Sequence, residues 1–179
     1  MKRYLLLLFL LLPSFFLQAQ NIMIDNIIST NDKLYISAHL TGNFPEDIYT
    51  YLENGMKITL VFHVEVFDKK PFYLNFFNKS VVIKTVKKIA TYNLWEKTYY
   101  IKEDKKILKF NSRNDFFKSV SKITNVFLLS NSELKKLEHP VVKISSELES
   151  IKLFPPLSWI FDLVSVREFK TDWVEKELK

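Results

Sequence analysis

Apolar and polar residues alternate with a period of two along several stretches of this chain, the pattern of strands that bury one face. Leu34, Ile36, Ala38 and Leu40 alternate with Lys33, Tyr35, Ser37 and His39. His39 therefore falls on the polar face, as a surface histidine. The clearest strand spans residues 56–67. Ile58, Leu60, Phe62, Val64 and Val66 alternate there with Lys57, Thr59, Val61, His63 and Glu65. That spacing predicts Phe62 in the core, with His63 and Glu65 sharing the opposite face. Val142, Ile144 and Leu148 alternate with Lys143, Ser145, Glu147 and Glu149. Residues 22–28, 81–90 and 125–129 also read as strands, and 72–77 is aromatic and apolar. Residues 98–102 and 106–110 bracket Glu103-Asp104-Lys105 as a hairpin. A last strand is expected over 164–174, bearing Trp173.

Helix signals are few and short. Phe44-Pro45-Glu46-Asp47 reads as a start, with Pro at the first position and acids in the first turn. Phe44, Ile48 and Leu52 follow at four-residue spacing, and Asn54-Gly55 ends the helix. Ser112-x-x-Asp115 resembles a capping box, followed by Phe116, Val120 and Ile123 at helical spacing. Residues 132–138 suit one or two turns, and 157–161 another. Asn31-Asp32 and Asp68-Lys69-Lys70-Pro71 are turns, and Pro155-Pro156 breaks the chain. The total is about eight or nine strands and two or three short helices. Short turns join most strands, without regular alternation with long helices. The fold class is therefore mainly β, an antiparallel β-sandwich, immunoglobulin-like or similar.

The first residues break this pattern. Lys2 and Arg3 precede an unbroken apolar run from Tyr4 to Leu12, and Leu17-Gln18-Ala19 ends on a small residue. Those are the three parts of a secretory signal peptide. A spanning helix needs about 20 apolar residues, and this run is shorter and interrupted by Pro13. Residues 1–19 are expected to be a leader and 20–179 a single domain, soluble in the periplasm or cell envelope. The alternative is an inner-membrane anchor formed by residues 4–17, because Leu17 is a poor residue at the −3 position.

Composition removes most familiar chemistries. The 179 residues include no cysteine and two glycines, Gly42 and Gly55. Disulfides, thiolate metal sites and a cysteine nucleophile are thereby excluded. So are the glycine-rich dinucleotide and phosphate loops and the serine elbow. His39, His63 and His139 lie in no close metal-ligand spacing, so no metal and no cofactor are expected. His63 and Glu65 could share a proton or help hold a metal, but a surface polar patch is the commoner state of such a pair. Lys outnumbers Arg 23 to 3, and the basic surplus concentrates in residues 91–140, with ten basic against six acidic side chains. A solvated face or a weak contact with anionic headgroups accommodates that surplus. Nucleic acid is not an expected partner of an exported chain.

The order of these motifs resembles the exported bacterial family called domain of unknown function 4390. Leu52-Glu53-Asn54-Gly55 runs straight into Ile58-x-Leu60-x-Phe62-x-Val64-Glu65-Val66. Tyr92 and Tyr99 lie seven apart, entering Tyr99-Tyr100-Ile101, and Phe110-Asn111-Ser112 leads into the helix with Phe116, Phe117 and Val120. Leu153-Phe154-Pro155-Pro156-Leu157 is similar to the family's Leu-Pro-rich stretch, and Ser165 precedes an aromatic end. Leu94 stands where a proline is frequent, and the Trp-rich ending is reduced to Phe169 and Trp173. The resemblance implies an envelope protein with a β-sandwich-like domain and brings no catalytic residues. Family members often lie near genes for membrane sensor kinases, which points toward envelope signalling.

Two functional classes follow. A non-catalytic binding or interaction module would present exposed aromatic and basic residues, the candidates being Tyr92, Trp95, Lys97, Tyr99, Tyr100 and Lys102. Its partner would be an envelope or membrane protein, a sensor kinase ectodomain among them, with at most peripheral membrane contact. A carboxylate-based hydrolase would draw on Glu46, Asp47 and Glu53, or on Glu147 and Glu149, which would have to face each other across roughly 5–9.5 Å. A purely structural envelope role reads the same as the first class. The leader pattern makes one direct prediction: protein recovered from cells begins at Gln20 or Asn21. An intact mass that retains Met1 would instead mark an anchored protein.

Overall fold

The strand with the cleanest alternation holds the centre of the larger sheet. In the computed structural model, which describes residues 20–30, 32–70, 80–149 and 169–178, this is β3 (Ile58–Asp68). It pairs antiparallel with β4 (Ser80–Asn93) from Ile58↔Ala90 to Phe67↔Ser80. On its other side it pairs with β8 (Pro140–Glu149), from Thr59↔Glu149 to Asp68↔Pro140. Beyond β4 lie β5 (Thr98–Glu103) and the edge strand β6 (Lys106–Phe110), and beyond β8 lies β9 (Val174–Glu177). The second sheet has β2 (Lys33–Thr41) between β1 (Asn21–Ser29) and β7 (Lys122–Ser130). All pairings are antiparallel. Three short helices complete the described fold: α1 (Glu46–Glu53), α2 (Arg113–Val120) and α3 (Asn131–Leu134). The architecture is the expected one, a mainly β fold of two antiparallel sheets, consistent with a β-sandwich.

The core forms where the apolar faces of the two sheets meet. β3 contributes Ile58, Leu60, Phe62, Val64 and Val66, all fully buried, and β2 contributes Leu34, Ile36, Ala38 and Leu40. The helices close the sides with Ile48 and Leu52 from α1 and Phe116 and Val120 from α2. Val61 departs from simple alternation, because it lies on the outer face yet is fully buried. Its register neighbours are Lys87 and Glu147. Their charged ends are held by Glu149 and by His63 and Lys170, and long stems of this kind can cover an apolar neighbour.

The helix ends follow local chemistry. Pro45 caps α1 from one position before its expected place. The helix then ends in a full Schellman motif: Gly55 N–H donates to Leu52 C=O and Met56 N–H to Tyr51 C=O. Gly55 has φ +83, the left-handed conformation this ending requires. Ser112 caps α2, accepting from the Asp115 N–H. Ile123 lies in β7 rather than in that helix, which ends at Val120. A complete capping box between Ser130 and Glu133 opens α3. The last described strand begins at Val174, just after Trp173, and residues 164–168 of the strand expected over 164–174 lie outside the described residues. The leader, the aromatic stretch 72–77, the Pro155-Pro156 break and the turn at 157–161 lie outside the described residues. Among those described, no helix is long and apolar enough to cross a membrane.

Phe62 is fully buried in the central strand, so Phe62→Ala should cost about 3–5 kcal/mol through lost burial plus a cavity. Ile83, on the outer face of β4, is 67% exposed, and Ile83→Ala should change stability by no more than about 0.5 kcal/mol. Urea denaturation of both variants checks the contrast. Equal losses would show that the core is not where β3 places it.

Candidate functional site

The candidate aromatic and basic residues lie on the β4–β5 hairpin, and strand alternation divides them. Tyr92 and Tyr99 are register partners with ring centroids 4.7 Å apart. Tyr99 also stacks on Phe116 at 4.7 Å and is only 4% exposed. Tyr99 is thus a core residue and not part of an exposed contact, a correction to the sequence expectation. The reason is the period of two: if Tyr99 faces α2, Tyr100 and Lys102 must face the other way. Tyr100 is half-buried, donates its hydroxyl hydrogen bond to Glu96, and lies beneath the Lys109 ammonium. Lys97 and Lys102 are exposed.

Trp95 stands apart. It is 96% exposed at the tip of the turn between β4 and β5, beside Leu94 at 57%. The turn is well anchored: Asn93 Oδ1 accepts from the Trp95 N–H at 2.9 Å and the Glu96 N–H at 3.2 Å. Lys97 takes the left-handed conformation at φ +51 to bring the chain back into β5. Side-chain capping by Asn at a turn is the physical signal for this geometry, and Asn93 was its trace in the sequence.

Behind this turn sits an ion-pair clamp that spacing alone did not reveal. Arg113, the first residue of α2, grips Glu53 with two bonds, from Nε at 2.8 Å and Nη2 at 2.7 Å. Its Nη1 reaches Glu46 at 2.7 Å, and the guanidinium lies over the Tyr49 ring at 5.1 Å. The Tyr99 hydroxyl donates to Glu53 and accepts from Arg113 Nε at 3.1 Å. Burial and the Glu53 bond push the Tyr99 phenol up to about 12. Burial also raises Glu53, but the bonds from Tyr99 and Arg113 outweigh it and hold the carboxyl below its usual range. The clamp ties α1 and α2 to β5. Glu46 and Glu53 lie seven apart, two turns along one helix face, and that spacing lets one guanidinium bridge them.

The outer face of the large sheet carries a second set of charges. His63 Nε2 lies 2.9 Å from Glu147 Oε1, and Lys170 reaches the same carboxylate at 3.1 Å. Glu65 shares the face with His63 but pairs with Lys143 at 3.0 Å and Ser80 at 2.9 Å. Glu149 pairs with Lys87 at 2.8 Å. The His63 and Lys170 bonds hold Glu147 below the usual carboxylate range. On the small sheet, His39 pairs with Asp25. Among the described residues, no group of three or more His, Asp or Glu side chains is arranged to hold a metal ion.

The family model described as Domain of unknown function (DUF4390) matches residues 18–177. The chain belongs to that family. The resemblance in motif order therefore holds across nearly the whole chain, from β1 through β9. No curated protein and no solved structure matches it.

The clamp in this DUF4390 chain has a measurable consequence. An ordinary tyrosine loses its proton near pH 10, whereas Tyr99 does so at about 12 when folded. The stabilisation is complete below about pH 10 and is lost as pH rises through that interval, because only the unfolded chain ionises there. A tyrosinate absorbance titration should show one phenol ionising last, and Tyr99→Phe should remove that final step. An unchanged titration in the variant would mean that the clamp does not form.

Proposed function

We propose that this chain is a non-catalytic interaction module of the bacterial cell envelope, exported and soluble once its leader is removed. Its contact point is the Trp95 turn. The observation that carries this reading is the exposure of Trp95, 96% of it open to solvent on a turn whose geometry Asn93 fixes. A tryptophan offers about 150–250 Å² of surface for burial, and here the fold leaves that surface outside the core. Tryptophan is also enriched among the residues that dominate binding energy at protein interfaces. Leu94 widens the apolar tip. The partner is an envelope or membrane protein, the outer domain of a membrane sensor kinase being one of that class.

The carboxylate-hydrolase alternative draws less support. A general acid needs a raised pKa. Glu53 and Glu147, the acids nearest to that role, are both lowered, and Glu46 and Glu149 are tied to Arg113 and Lys87.

A photo-crosslinking residue at Lys97, beside the turn, tests the reading in cells. It should capture one reproducible envelope partner, and adding Trp95→Ala should abolish the adduct. Because Trp95 is exposed, Trp95→Ala should shift the unfolding free energy by no more than about 0.5 kcal/mol. An adduct that survives Trp95→Ala would remove the turn from the contact.

A further inference from the structure

We propose that a lysine-lined groove at the opposite end of β5 from Trp95 binds the phosphate groups of an anionic phospholipid surface. The groove has a volume of about 1060 Å³ and lies between the β5–β6 hairpin and the passage from α2 into β7. Lys105 and Lys106 stand on the hairpin side, and Lys118 and Lys122 on the other. All four come from the segment with ten basic against six acidic residues. The fold thus gathers lysines that the sequence spreads from Lys105 to Lys122.

The floor of the groove is Lys88, a buried side chain. Its Nζ donates to the Ser119 carbonyl at 2.8 Å and to the Lys122 carbonyl, and it pairs with Glu103 at 3.3 Å. Burial lowers its pKa, while Glu103 works against that shift. Three donors are thereby committed, so Lys88 holds the two walls together rather than reaching for a ligand. It also offsets the negative end of α2, which would otherwise repel anions.

The remaining cations of the groove are less compensated. Elsewhere Lys70, Lys87, Lys109, Lys143, Lys170 and Arg113 each pair with a carboxylate. Lys122 shares Asp25 with His39. No carboxylate among the described residues pairs with Lys105, Lys106 or Lys118. Glu103 is engaged by Lys88, which leaves Asp104 as the other acid in the lining.

Two features favour a lipid surface over other anions. Leu108 lines the groove, and Ile107, 66% exposed, projects from the other face of the same edge strand. Apolar side chains flanking lysines suit the boundary between headgroups and acyl chains. No aromatic side chain lines this groove among the described residues, so it lacks the stacking platform that single-stranded nucleic acid requires. A smaller hollow of about 510 Å³ adjoins it, sharing Lys118 and Lys122 and adding His39. The two lysines therefore stand between two recesses open to headgroups. The site is independent of the Trp95 turn, so either can fail without the other.

Flotation of the protein purified from cells, with vesicles of phosphatidylcholine alone or mixed equally with phosphatidylglycerol, tests the proposal. Binding should occur to the anionic vesicles, fall with added salt, and be absent from the neutral ones. Each lysine near an anionic surface is worth roughly a fivefold gain in partitioning. Lys105→Gln/Lys106→Gln/Lys118→Gln should therefore lower binding roughly a hundredfold. Lys135→Gln/Lys136→Gln, on the exposed surface after α3, should leave it nearly unchanged. Circular dichroism confirms that both variants fold. Undiminished binding by the triple variant would overturn the proposal, as would equal binding to neutral vesicles, which would assign the contact to the apolar leader. Saturable binding of free glycerol phosphate without vesicle binding would also overturn it, in favour of a soluble anion.

Discussion

The described structure depends on the burial of one strand. β3 is paired along nearly its whole length on both sides, with β4 and with β8. Its inner face is apolar without interruption from Ile58 to Val66. With no cysteine in the chain, no disulfide narrows the unfolded ensemble, and packing must supply the stability. Phe62 lies at the midpoint of that face, in one buried cluster with side chains of the small sheet and of both longer helices. The other described strands of the large sheet take their positions by adding outward from β3.

Around this core the charges fall into two regimes. Where helices or strands must be joined, cations are matched to acids. Arg113 binds α1 to α2, Lys170 and His63 meet on Glu147, and Lys143 meets Glu65. Pairing of this kind lowers carboxyl pKa values and suits architecture better than acid–base chemistry. Lys105, Lys106 and Lys118, around the groove floored by Lys88, have no carboxylate partner among the described residues, although Glu103 and Asp104 share the lining. The β5 strand spans both regimes: the turn that precedes it carries Trp95, and the turn that follows it carries Lys105.

Strand facing, the end of the first helix and burial were legible wherever they follow from local rules. The alternation through β2, β3 and β8 set which residues face inward, because strand side chains have a strict period of two. Asn54-Gly55 marked the end of α1, because a Schellman ending needs a residue that tolerates positive φ. The candidate patch was less legible. Tyr92, Trp95, Lys97, Tyr99, Tyr100 and Lys102 are neighbours in sequence, but alternation sends Tyr99 and Tyr100 to opposite faces. His63 and Glu65 share a face, as their spacing requires, yet each has its closest charged partner on β8.

The sequence by itself determined the class of fold, the inward face of each principal strand, the glycine ending of α1 and the absence of thiol and glycine-loop chemistry. All of these rest on contacts within a few residues, or on composition. Tertiary structure decided the rest. Arg113 is 60 residues from Glu53, and Lys88 is 31 from Ser119. Only the pairing of strands distant in the chain brings Lys105 and Lys118 to one groove and leaves Trp95 outside every packed surface described. Such juxtapositions arise from sheet registers and helix docking, which no local period encodes.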